Sequence, residues 1–354
     1  MWDVAIMGAG LAGLTCAQQL REAGHQVCVL DKSRGLGGRM ATRRVNRPKD
    51  QTVRVDHGLP YWQPVSDGLR SLTDSLLAAG VIKPWAVSAY DLRQDGTLAL
   101  LPVAPPYVAP SGMSAIAKHL AQNLTPDDNL LTAHRATALT PQDGGWRINC
   151  DEGKVVLAKQ CAIAIPAPQA LDLLTTAPAD QIDTSAKDAL QAVRYDACLS
   201  VLAGYAQPQS IGSLNTSSLN PDGWMVTDTV GTSTAWVGLD SSKRNHSKET
   251  VVVIHSKPGF AERYLAAGDV QPAASVLLRA NARKFGDWIA QPDWFQIQRW
   301  RYANVAVPYS GEALTASDSL VCGGDWCVPE GEMLTGIDAA YLSGQAMARA
   351  IQSR

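Results

Sequence analysis

No apolar stretch of this 354-residue chain approaches the ~20 consecutive apolar residues that a membrane-spanning helix needs. Basic residues are not in excess either, because 31 lysines and arginines stand against 33 acidic residues, for a net charge of −2. That balance excludes a general electrostatic attraction to nucleic acid or to an anionic membrane. The first residues, Met1-Trp2-Asp3, carry no basic side chain, and we expect no signal peptide.

The seven cysteines are scattered and form neither a Cys-x-x-Cys pair nor the spacing of a zinc site. Their odd number argues against a complete set of disulfides, so we expect reduced, mostly buried thiols and no bound metal. A hydrophobic fraction of 46% with 18% charged residues is typical of a globular enzyme long enough for two domains. We expect the protein to be cytoplasmic.

The most informative pattern lies near the N-terminus: a short apolar run, a glycine turn, an amphipathic segment and a second apolar run that ends in an acid. Gly8 permits a tight turn, Gly10 lets backbone N–H groups approach a pyrophosphate, and Gly13 lets a helix pack closely on a strand. The helix predicted to begin near Leu11 would direct its positive end at the phosphates. Asp31, at the end of the second run, can accept hydrogen bonds from an adenosine ribose. The pattern predicts a dinucleotide-binding unit.

A second glycine motif follows at 35–40, with the sequence Gly-Leu-Gly-Gly-Arg-Met. Its glycines would let the chain wrap the pyrophosphate a second time, and Arg39 would supply a charged, fork-shaped donor. A simple NAD dehydrogenase has no need for this second turn. The motif therefore favours FAD.

A third motif, Cys-Gly-Gly-Asp-Trp at 322–326, precedes a helix predicted from about residue 336 to 351. Asp325 follows an apolar run and can accept hydrogen bonds from a ribityl or other cofactor hydroxyl. Free N–H groups at the start of the helix, at Gly336 and Ile337, can face the edge of a flavin ring on which negative charge develops.

The remaining patterns predict helices near 66–80, 112–123, 182–193, 259–267 and 271–290. They predict strands near 53–55, 130–139, 146–150, 155–165 (a pair), 198–205, 224–229, 234–239, 250–255 and 296–302, with a charged patch at Lys243 and Arg244 in a connecting loop. Nucleotide-domain signals stand at both ends and in the middle. We therefore expect an α/β fold with a discontinuous Rossmann-like FAD-binding domain, 1–60, 105–170 and 305–354. An interleaved mixed-sheet α+β substrate domain would comprise 61–104 and 171–304.

The order of these motifs resembles the flavoprotein amine oxidase superfamily, whose fold is shared with p-hydroxybenzoate hydroxylase. Finer stretches resemble the renalase family: Val-Asp-His-Gly-Leu-Pro-Tyr-Trp at 55–62, Tyr-Val-Ala-Pro-Ser-Gly-Met-Ser-Ala at 107–115, Arg-Trp-Arg-Tyr-Ala at 299–303 and Gly-Gly-Asp-Trp-Cys at 323–327. The resemblance implies noncovalent FAD and a nicotinamide dinucleotide substrate. It implies oxidation of the 2- and 6-dihydro isomers of NAD(P)H to NAD(P)+, with hydride transfer to flavin N5 and O2 as the acceptor that yields hydrogen peroxide.

Such a reaction needs little acid–base help, because its product is a stable aromatic pyridinium, so the site must hold two flat rings in contact and exclude water. We predict Tyr61, Trp300 and Tyr302 as aromatic walls, with Trp62 as a further candidate. Arg299 and Arg301 alternate with Trp300 and should face the opposite side of the strand.

The resemblance also implies that His57 supports the flavin edge through its backbone. The predicted cofactor-binding residues are Gly8, Gly10, Leu11, Ala12, Gly13, Asp31, Lys32, Gly37, Gly38, Arg39, Met40, His57, Gly58, Gly324, Asp325, Gly336 and Ile337.

The chain departs from the renalase pattern at 332–338, Glu-Met-Leu-Thr-Gly-Ile-Asp, which keeps a glycine and an acid but lacks the family's arginine. Amine oxidation is the first competing activity, although Met333 and Leu334 stand where amine oxidases place an aromatic wall. A carotenoid-desaturase-like flavin dehydrogenase ranks third. A noncatalytic flavin-binding protein is also compatible with the sequence.

Overall fold

The computed structural model describes residues 1–48, 51–206, 223–245, 247 and 249–354, so most of the loop predicted between the strands near 198–205 and 224–229 lies outside it. Within these residues the strands are β1 (Trp2–Met7), β2 (Val27–Asp31), β3 (Thr42–Arg47), β4 (Gln51–Asp56), β5 (Lys83–Pro84), β6 (Ser88–Leu92), β7 (Leu98–Leu101), β8 (Tyr107–Val108), β9 (Leu130–Thr132), β10 (Ala136–Gln142), β11 (Gly145–Cys150), β12 (Val155–Ile163), β13 (Arg194–Tyr205), β14 (Trp224–Thr227), β15 (Thr234–Leu239), β16 (Thr250–Ser256), β17 (Trp294–Val307), β18 (Tyr309–Ser310), β19 (Leu314–Ser317), β20 (Leu320–Cys322) and β21 (Cys327–Val328). The helices are α1 (Leu11–Glu22), α2 (Asp67–Ala78), α3 (Ser114–Leu120), α4 (Ala167–Leu174), α5 (Thr184–Ala192), α6 (Pro258–Glu262), α7 (Gln271–Phe285) and α8 (Gly336–Gln352).

The first sheet contains β1, which runs parallel to both β2 and β12, and its order is β10-β11-β12-β1-β2-β9 with β20 beside the end of β12 and β19 beside β20. Its central strands are buried on both faces. Val4 and Ile6 pack with α1, α3 and α8, whereas Ala5 and Met7 pack with α4 and α5. Helices on both sides of a largely parallel sheet give the predicted α/β fold of a Rossmann-like domain.

The second sheet has the order β17-β13-β16-β15-β14-β6-β7 and is mixed, because β14 and β6 run parallel whereas the other neighbours are antiparallel. Alternate residues of β13, such as Leu199 and Val201, pack under α6 and α7. Residues of the opposite face, such as Leu202 and Val253, pack against the β3–β4 hairpin. That hairpin leads directly from the second glycine motif, so the opposite face of the second sheet looks toward the predicted cofactor region.

In the structure, several helices and strands begin or end at other residues than the sequence predicts. The 155–165 stretch is one strand and not two, because it continues without a turn to Ile163, just before Pro166. The 130–139 stretch is two strands, since Ala133 between them adopts a left-handed conformation at φ +60°. The helix predicted for 271–290 ends at Phe285, because Gly286 takes φ +118°, and a short 3₁₀ turn follows.

The hydrophobic cores show which segments pack with each sheet. Leu69 and Leu76 of α2 lie in the cluster around α1 and α8, and Leu190 of α5 lies in the cluster on the other face of the first sheet. α2, α4 and α5 therefore pack with the nucleotide-binding sheet, although we predicted α2, α5 and half of α4 for the substrate domain. The domain boundaries stay a prediction.

All seven cysteines are buried free thiols. In the part of the chain that the structure describes, no helix is both long enough and apolar enough to cross a membrane.

Candidate active site

The turn between β1 and α1 has the backbone of a phosphate-binding turn. Gly8 adopts φ +114°, and a Cβ atom there would lie 2.4 Å from the carbonyl oxygen of Ala164. A Cβ at Gly13 would lie 1.9 Å from the carbonyl oxygen of Gly8, so the close strand–helix packing predicted for this glycine is present. A Cβ at Gly10 would meet no protein atom within 4 Å. Packing therefore requires glycine at 8 and 13, whereas Gly10 leaves open space at the N-terminus of α1, where an anion is stabilised.

The second glycine turn adjoins the first. Gly37 and Gly38 both have positive φ, and the amide of Gly37 donates to the carbonyl oxygen of Ala9 at 2.9 Å. A Cβ at Gly38 would lie 3.7 Å from the Cα of Gly10, so the two turns border one space. The carboxylate of Asp31 lies beside them and accepts from the amide of Ala9 at 2.8 Å.

Arg39 and Asp325 form a bidentate ion pair, with N–O distances of 2.5 and 2.6 Å, between residues far apart in the chain. Burial opposes the charge on Arg39, but the carboxylate of Asp325 outweighs it and raises the pKa of the guanidinium. Arg39 also donates to the carbonyl oxygen of Ala303 at 3.2 Å. We predicted separate contacts of these two side chains with the cofactor, and the structure pairs them with each other.

The N-terminus of α8 lies next to this ion pair. A Cβ at Gly336 would approach the Asp325 carboxylate no closer than 3.8 Å, so the backbone at the start of α8 stands next to open space. Gly344 holds α8 against α1, since a Cβ there would lie 2.4 Å from the carbonyl oxygen of Ala12. Asp338 is fully buried and accepts from the amides of Val65 and Ser66, so this acid links α8 to the segment before α2.

The two glycine turns therefore border one space, Arg39 follows the second turn and pairs with Asp325, and the Asp325 carboxylate adjoins the start of α8. These predicted cofactor residues form one contiguous group, and we call the space beside them the cofactor cleft. Leu11, Ala12 and Met40 contribute buried side chains to the core beneath it. Lys32 is exposed and donates to the side chain of Gln169 at 3.2 Å. The open space at Gly10, at the N-terminus of α1, fits the pyrophosphate of FAD.

His57 and Trp300 form a flat wall near this cleft. Their rings stack at 5.2 Å with an interplanar angle of 19°, and the indole N–H of Trp300 donates to the carbonyl oxygen of His57 at 2.8 Å. A Cβ at Gly58 would lie 2.0 Å from the carbonyl oxygen of Arg39 and 3.2 Å from the Trp300 ring, so only glycine fits between them. Burial, together with the charge of Arg43, lowers the pKa of His57 to about 4, and the imidazole is neutral at pH 7.

The other predicted aromatic walls have different surroundings. Tyr61 is half-buried, lies against Trp85 at 6.4 Å and has its pKa raised by burial. Tyr302 packs edge-on against Tyr195 at 5.4 Å and accepts weakly from Arg39 through its carbonyl oxygen. Trp62 is fully buried and donates to the hydroxyl of Thr73 at 2.8 Å, so it is a core residue and not a pocket wall.

Arg299 lies on the opposite side of β17 from Trp300, as the alternation predicted. Its guanidinium donates to the carbonyl oxygens of Leu265 and Ala267 beyond α6, at 2.7 and 2.8 Å. Arg301 points the same way and makes one long contact, 3.5 Å, with Leu265.

The charged patch predicted at Lys243 and Arg244 is a buried ion network. Lys243 has no exposed surface and donates to Asp240 at 2.6 Å, and Arg244 contacts Asp56 at 2.8 Å. Burial would raise the pKa of Asp56, but Arg244 and Lys243 outweigh it and hold that pKa below its usual range. The carboxylate next to His57 is therefore fully neutralised by paired cations.

Sequence reasoning missed a row of side chains on the same face of the second sheet as Trp300. Gln298, Ser200, His255 and Trp236 are direct cross-strand partners on β17, β13, β16 and β15. Each of these residues stands in an ordinary strand pattern, so the sequence carries no local signal of the row, and only the strand register brings it together.

The sequence is similar to known protein families. Residues 6–76 match the model described as an NAD(P)-binding Rossmann-like domain, and residues 84–353, most of the chain, match the model described as flavin-containing amine oxidoreductase. The chain is 40% identical over 106 residues to thiamine thiazole synthase of Pyrobaculum islandicum, covering 27% of this chain and 40% of that protein. It is 51% identical over 41 residues to the flavin-dependent L-tryptophan oxidase of Lentzea aerocolonigenes, covering 12% of this chain and 9% of that protein. The chain thus spans 40% or less of the length of these curated relatives.

The fold is similar to solved structures over the whole chain. Putrescine oxidase bound to putrescine matches with a TM-score of 0.72 at 14% identity, covering 100% of this chain and 99% of the other. Cyclohexylamine oxidase from Brevibacterium oxydans matches with a TM-score of 0.71 at 14% identity, covering 99% of each chain. At this identity the likeness shows the fold alone. Because the amine oxidoreductase model matches most of the chain, the protein belongs to the flavin-containing amine oxidoreductase family, for which FAD is the implied cofactor.

Proposed function

We propose that this protein oxidises the 2- and 6-dihydro isomers of NAD(P)H to NAD(P)+ and uses O2 as the electron acceptor. The observation that carries the proposal is the flat, uncharged His57–Trp300 wall near the cofactor cleft. Bound FAD would supply a two-electron acceptor that takes hydride at N5 and is reoxidised by O2 with release of hydrogen peroxide. The residues of the chain then have to hold a flat ring in place and keep water away from it.

The wall suits that task. The hydrogen bond from the indole N–H of Trp300 to the carbonyl oxygen of His57 holds the indole in place. The backbone at Gly58 is held by its close packing against the carbonyl oxygen of Arg39. With the pKa of His57 lowered to about 4, its imidazole neither offers a charge nor removes a proton at pH 7. A dihydronicotinamide ring needs neither, because loss of hydride leaves an aromatic cation without further proton transfer.

The charges around the wall favour a neutral or anionic substrate over a protonated amine. Asp56, the carboxylate next to His57, is paired with Arg244 and Lys243. Arg43 is exposed, lies near enough to His57 to lower its pKa, and donates to Gln296 on the second sheet at 3.1 Å. A cation at this rim suits the phosphates of a dinucleotide.

The free, buried thiols support a reducing compartment, and we place the enzyme in the cytoplasm on that ground.

The second candidate is oxidation of an amine. It is supported by the match to the flavin-containing amine oxidoreductase model and by the fold shared with putrescine oxidase and cyclohexylamine oxidase. The charge distribution around the His57–Trp300 wall argues against it. Met333, in the segment where amine oxidases carry an aromatic wall, is 92% exposed and packs against no ring.

The test is anaerobic mixing of the purified FAD-loaded protein with single substrates, followed by the flavin absorbance. The substrates are the 2-dihydro and 6-dihydro forms of NAD and NADP, ordinary NADH, putrescine and cyclohexylamine. Rapid bleaching by the 2- and 6-dihydro isomers alone supports the proposal. Bleaching by an amine alone overturns it in favour of the second candidate, and bleaching by no compound favours a noncatalytic flavin-binding protein.

A further inference from the structure

The polar row on the second sheet lies directly beside the Trp300 wall. Ser200 pairs with Gln298 on one side and with His255 on the other, and His255 pairs with Trp236. Direct cross-strand partners project from the same face of a sheet. Cys198, two residues before Ser200 on that face, pairs with Trp300. The row is therefore one step along the strands from the proposed ring wall.

Three members of the row carry buried polar atoms without a hydrogen-bond partner among the described residues. They are the hydroxyl of Ser200, the Nε2 atom of His255 and the indole N–H of Trp236. Ser200 has no exposed surface and Trp236 is 8% exposed. Buried polar atoms are nearly always bonded, and an unsatisfied one costs about 1–3 kcal/mol. Three of them on adjacent strands therefore indicate a place where a ligand supplies the missing bonds.

The surroundings of the row limit where that ligand can lie. The next row along the strands is apolar, with Leu202 and Val253 packed against the β3–β4 hairpin. The opposite face of the sheet is covered by α6 and α7. The Trp236 ring folds over Gly238, where a Cβ atom would lie 2.5 Å from it, and lies 5.2 Å from the His255 ring. The side of the Trp300 wall is therefore the direction that neither the β3–β4 hairpin nor α6 and α7 cover.

The donor and acceptor capacities of these three side chains determine which ligand groups can bond to them. The indole of Trp236 only donates, so its partner must be an acceptor. The Ser200 hydroxyl and a neutral imidazole can each accept as well as donate. Burial, with the charge of Lys243, lowers the pKa of His255 to about 3, so its ring is neutral at pH 7. A flat group with one acceptor and one N–H donor matches this set, whereas a protonated amine has no acceptor for the indole.

We propose that Trp236, Ser200 and His255 bind the carboxamide of a nicotinamide ring. The indole of Trp236 donates to the carboxamide oxygen, and Ser200 and His255 accept from its NH2 group. These residues are specificity-determining positions and take no part in hydride transfer. The inference rests on the proposed function, and it names the group by which the substrate is recognised.

The test measures equilibrium binding of two probes to the oxidised FAD-loaded protein, by perturbation of the flavin spectrum. The probes are NAD+ and its 3-acetylpyridine analogue, which keeps the carbonyl oxygen but lacks the NH2 group. Trp236→Phe keeps an aromatic ring but removes the N–H donor together with the five-membered ring of the indole, and we expect it to weaken both probes about threefold to tenfold. We expect Ser200→Ala to weaken NAD+ by a similar factor and to leave the acetyl analogue unchanged.

Trp288→Phe is the matched control. The Trp288 indole N–H is also buried without a partner among the described residues, but the ring packs against Tyr205 on the helix-covered side of the second sheet. We expect no change in affinity for either probe. Flavin content and the thermal unfolding midpoint of each variant show that it is folded, and if Trp236→Phe does not fold, the two-probe comparison with Ser200→Ala decides.

Two outcomes overturn the inference: wild-type protein that binds neither probe, or Trp236→Phe and Ser200→Ala variants that bind both probes as Trp288→Phe does. The proposed function fails separately. If the dihydro isomers do not bleach the flavin but NAD+ binding depends on the row in this way, the carboxamide site stands and the assigned reaction does not.

Discussion

The cofactor cleft and the second-sheet wall are built in different ways. The cleft is made largely of backbone: two glycine turns, two helix starts and one ion pair, Arg39–Asp325. The wall is made of side chains, such as Ser200, His255 and Trp300, which come from different strands of one sheet. A backbone site tolerates little change at its glycines, whereas a side-chain site can change its ligand by single substitutions. The shared cofactor and the varied substrates of one fold have this physical basis.

The largest expected effect is a loss of FAD affinity when a side chain fills the open space at Gly10. Gly10→Val places a branched side chain on a Cβ position that has no protein atom within 4 Å, and the extended backbone at Gly10, φ −82°, accepts a β-branched residue. We expect the variant to fold with an unchanged unfolding midpoint for the flavin-free protein and to lose FAD affinity by about 100-fold or more, about 2.7 kcal/mol. Titration with FAD measures it.

The matched control for Gly10→Val is Gly268→Val, since Gly268 also has open space around its Cβ position and no positive φ. It should keep full FAD affinity. Equal FAD affinity in the two variants would contradict the placement of the pyrophosphate at the first turn.

The next effect concerns the ion pair of the cleft. Asp325→Asn leaves Arg39, whose side chain is 31% exposed, without its charge partner, and the loss of charge-assisted hydrogen bonds in a partly buried pair costs about 1–3 kcal/mol. We expect the free energy of unfolding, measured by denaturant titration, to fall by that order and the flavin content to fall with it. Glu312→Gln breaks an ion pair with Arg349 whose members are both more than half exposed, and it should cost about 0–1 kcal/mol. Similar losses of unfolding free energy in both variants would contradict the greater burial of the Arg39–Asp325 pair.

A smaller effect should follow from loosening the wall. Trp300→Phe keeps an aromatic ring against His57 but removes the 2.8 Å bond to its carbonyl oxygen. We expect the rate of flavin bleaching by the preferred substrate to fall about tenfold, the equivalent of one hydrogen bond, with the flavin content unchanged. Trp294→Phe lies on the same strand and loses a bond to Glu249 instead, so it should leave the rate unchanged. A variant Trp300→Phe with the wild-type rate would remove this wall from the reaction.

The most gradual effect is a pH dependence of stability, which is spread over several pH units. Because the pKa of His255 is about 3 in the folded protein and about 6.5 when unfolded, the unfolded chain binds a proton between these values and the folded protein does not. Stability should therefore fall as the pH falls from about 6.5 toward 3, by at most about 1.4 kcal/mol per pH unit from this group. His255→Gln should flatten that slope relative to the wild-type protein. Chemical denaturation at pH 7, 6 and 5 measures the difference, and equal slopes in the variant and the wild type would contradict it.

The sequence predicted the cleft better than the wall because the two depend on different distances along the chain. Gly8, Gly13 and Asp31 lie within one strand–helix–strand unit, and each has a separate physical requirement that a pattern reveals. The pairing of Arg39 with Asp325 was not predictable, since both side chains are also suited to contact the cofactor directly.

The wall depends on register. His255 and Ser200 meet only because β13 and β16 pair with one particular offset, which the hydrophobic pattern of two buried strands does not specify. Lys243 illustrates the same limit. In the sequence it stands in a polar loop and indicates a solvated residue, yet the fold buries it between Asp240, Asp56 and the ring of Trp85.

The packing of α8 on α1 has a consequence for how the protein folds. The two helices lie more than 300 residues apart in the sequence, and Gly344 lets α8 close against the carbonyl oxygen of Ala12. A contact between such distant segments requires the closure of a very long loop, so it forms late in folding. During refolding, helix content should therefore recover before the capacity to hold FAD tightly.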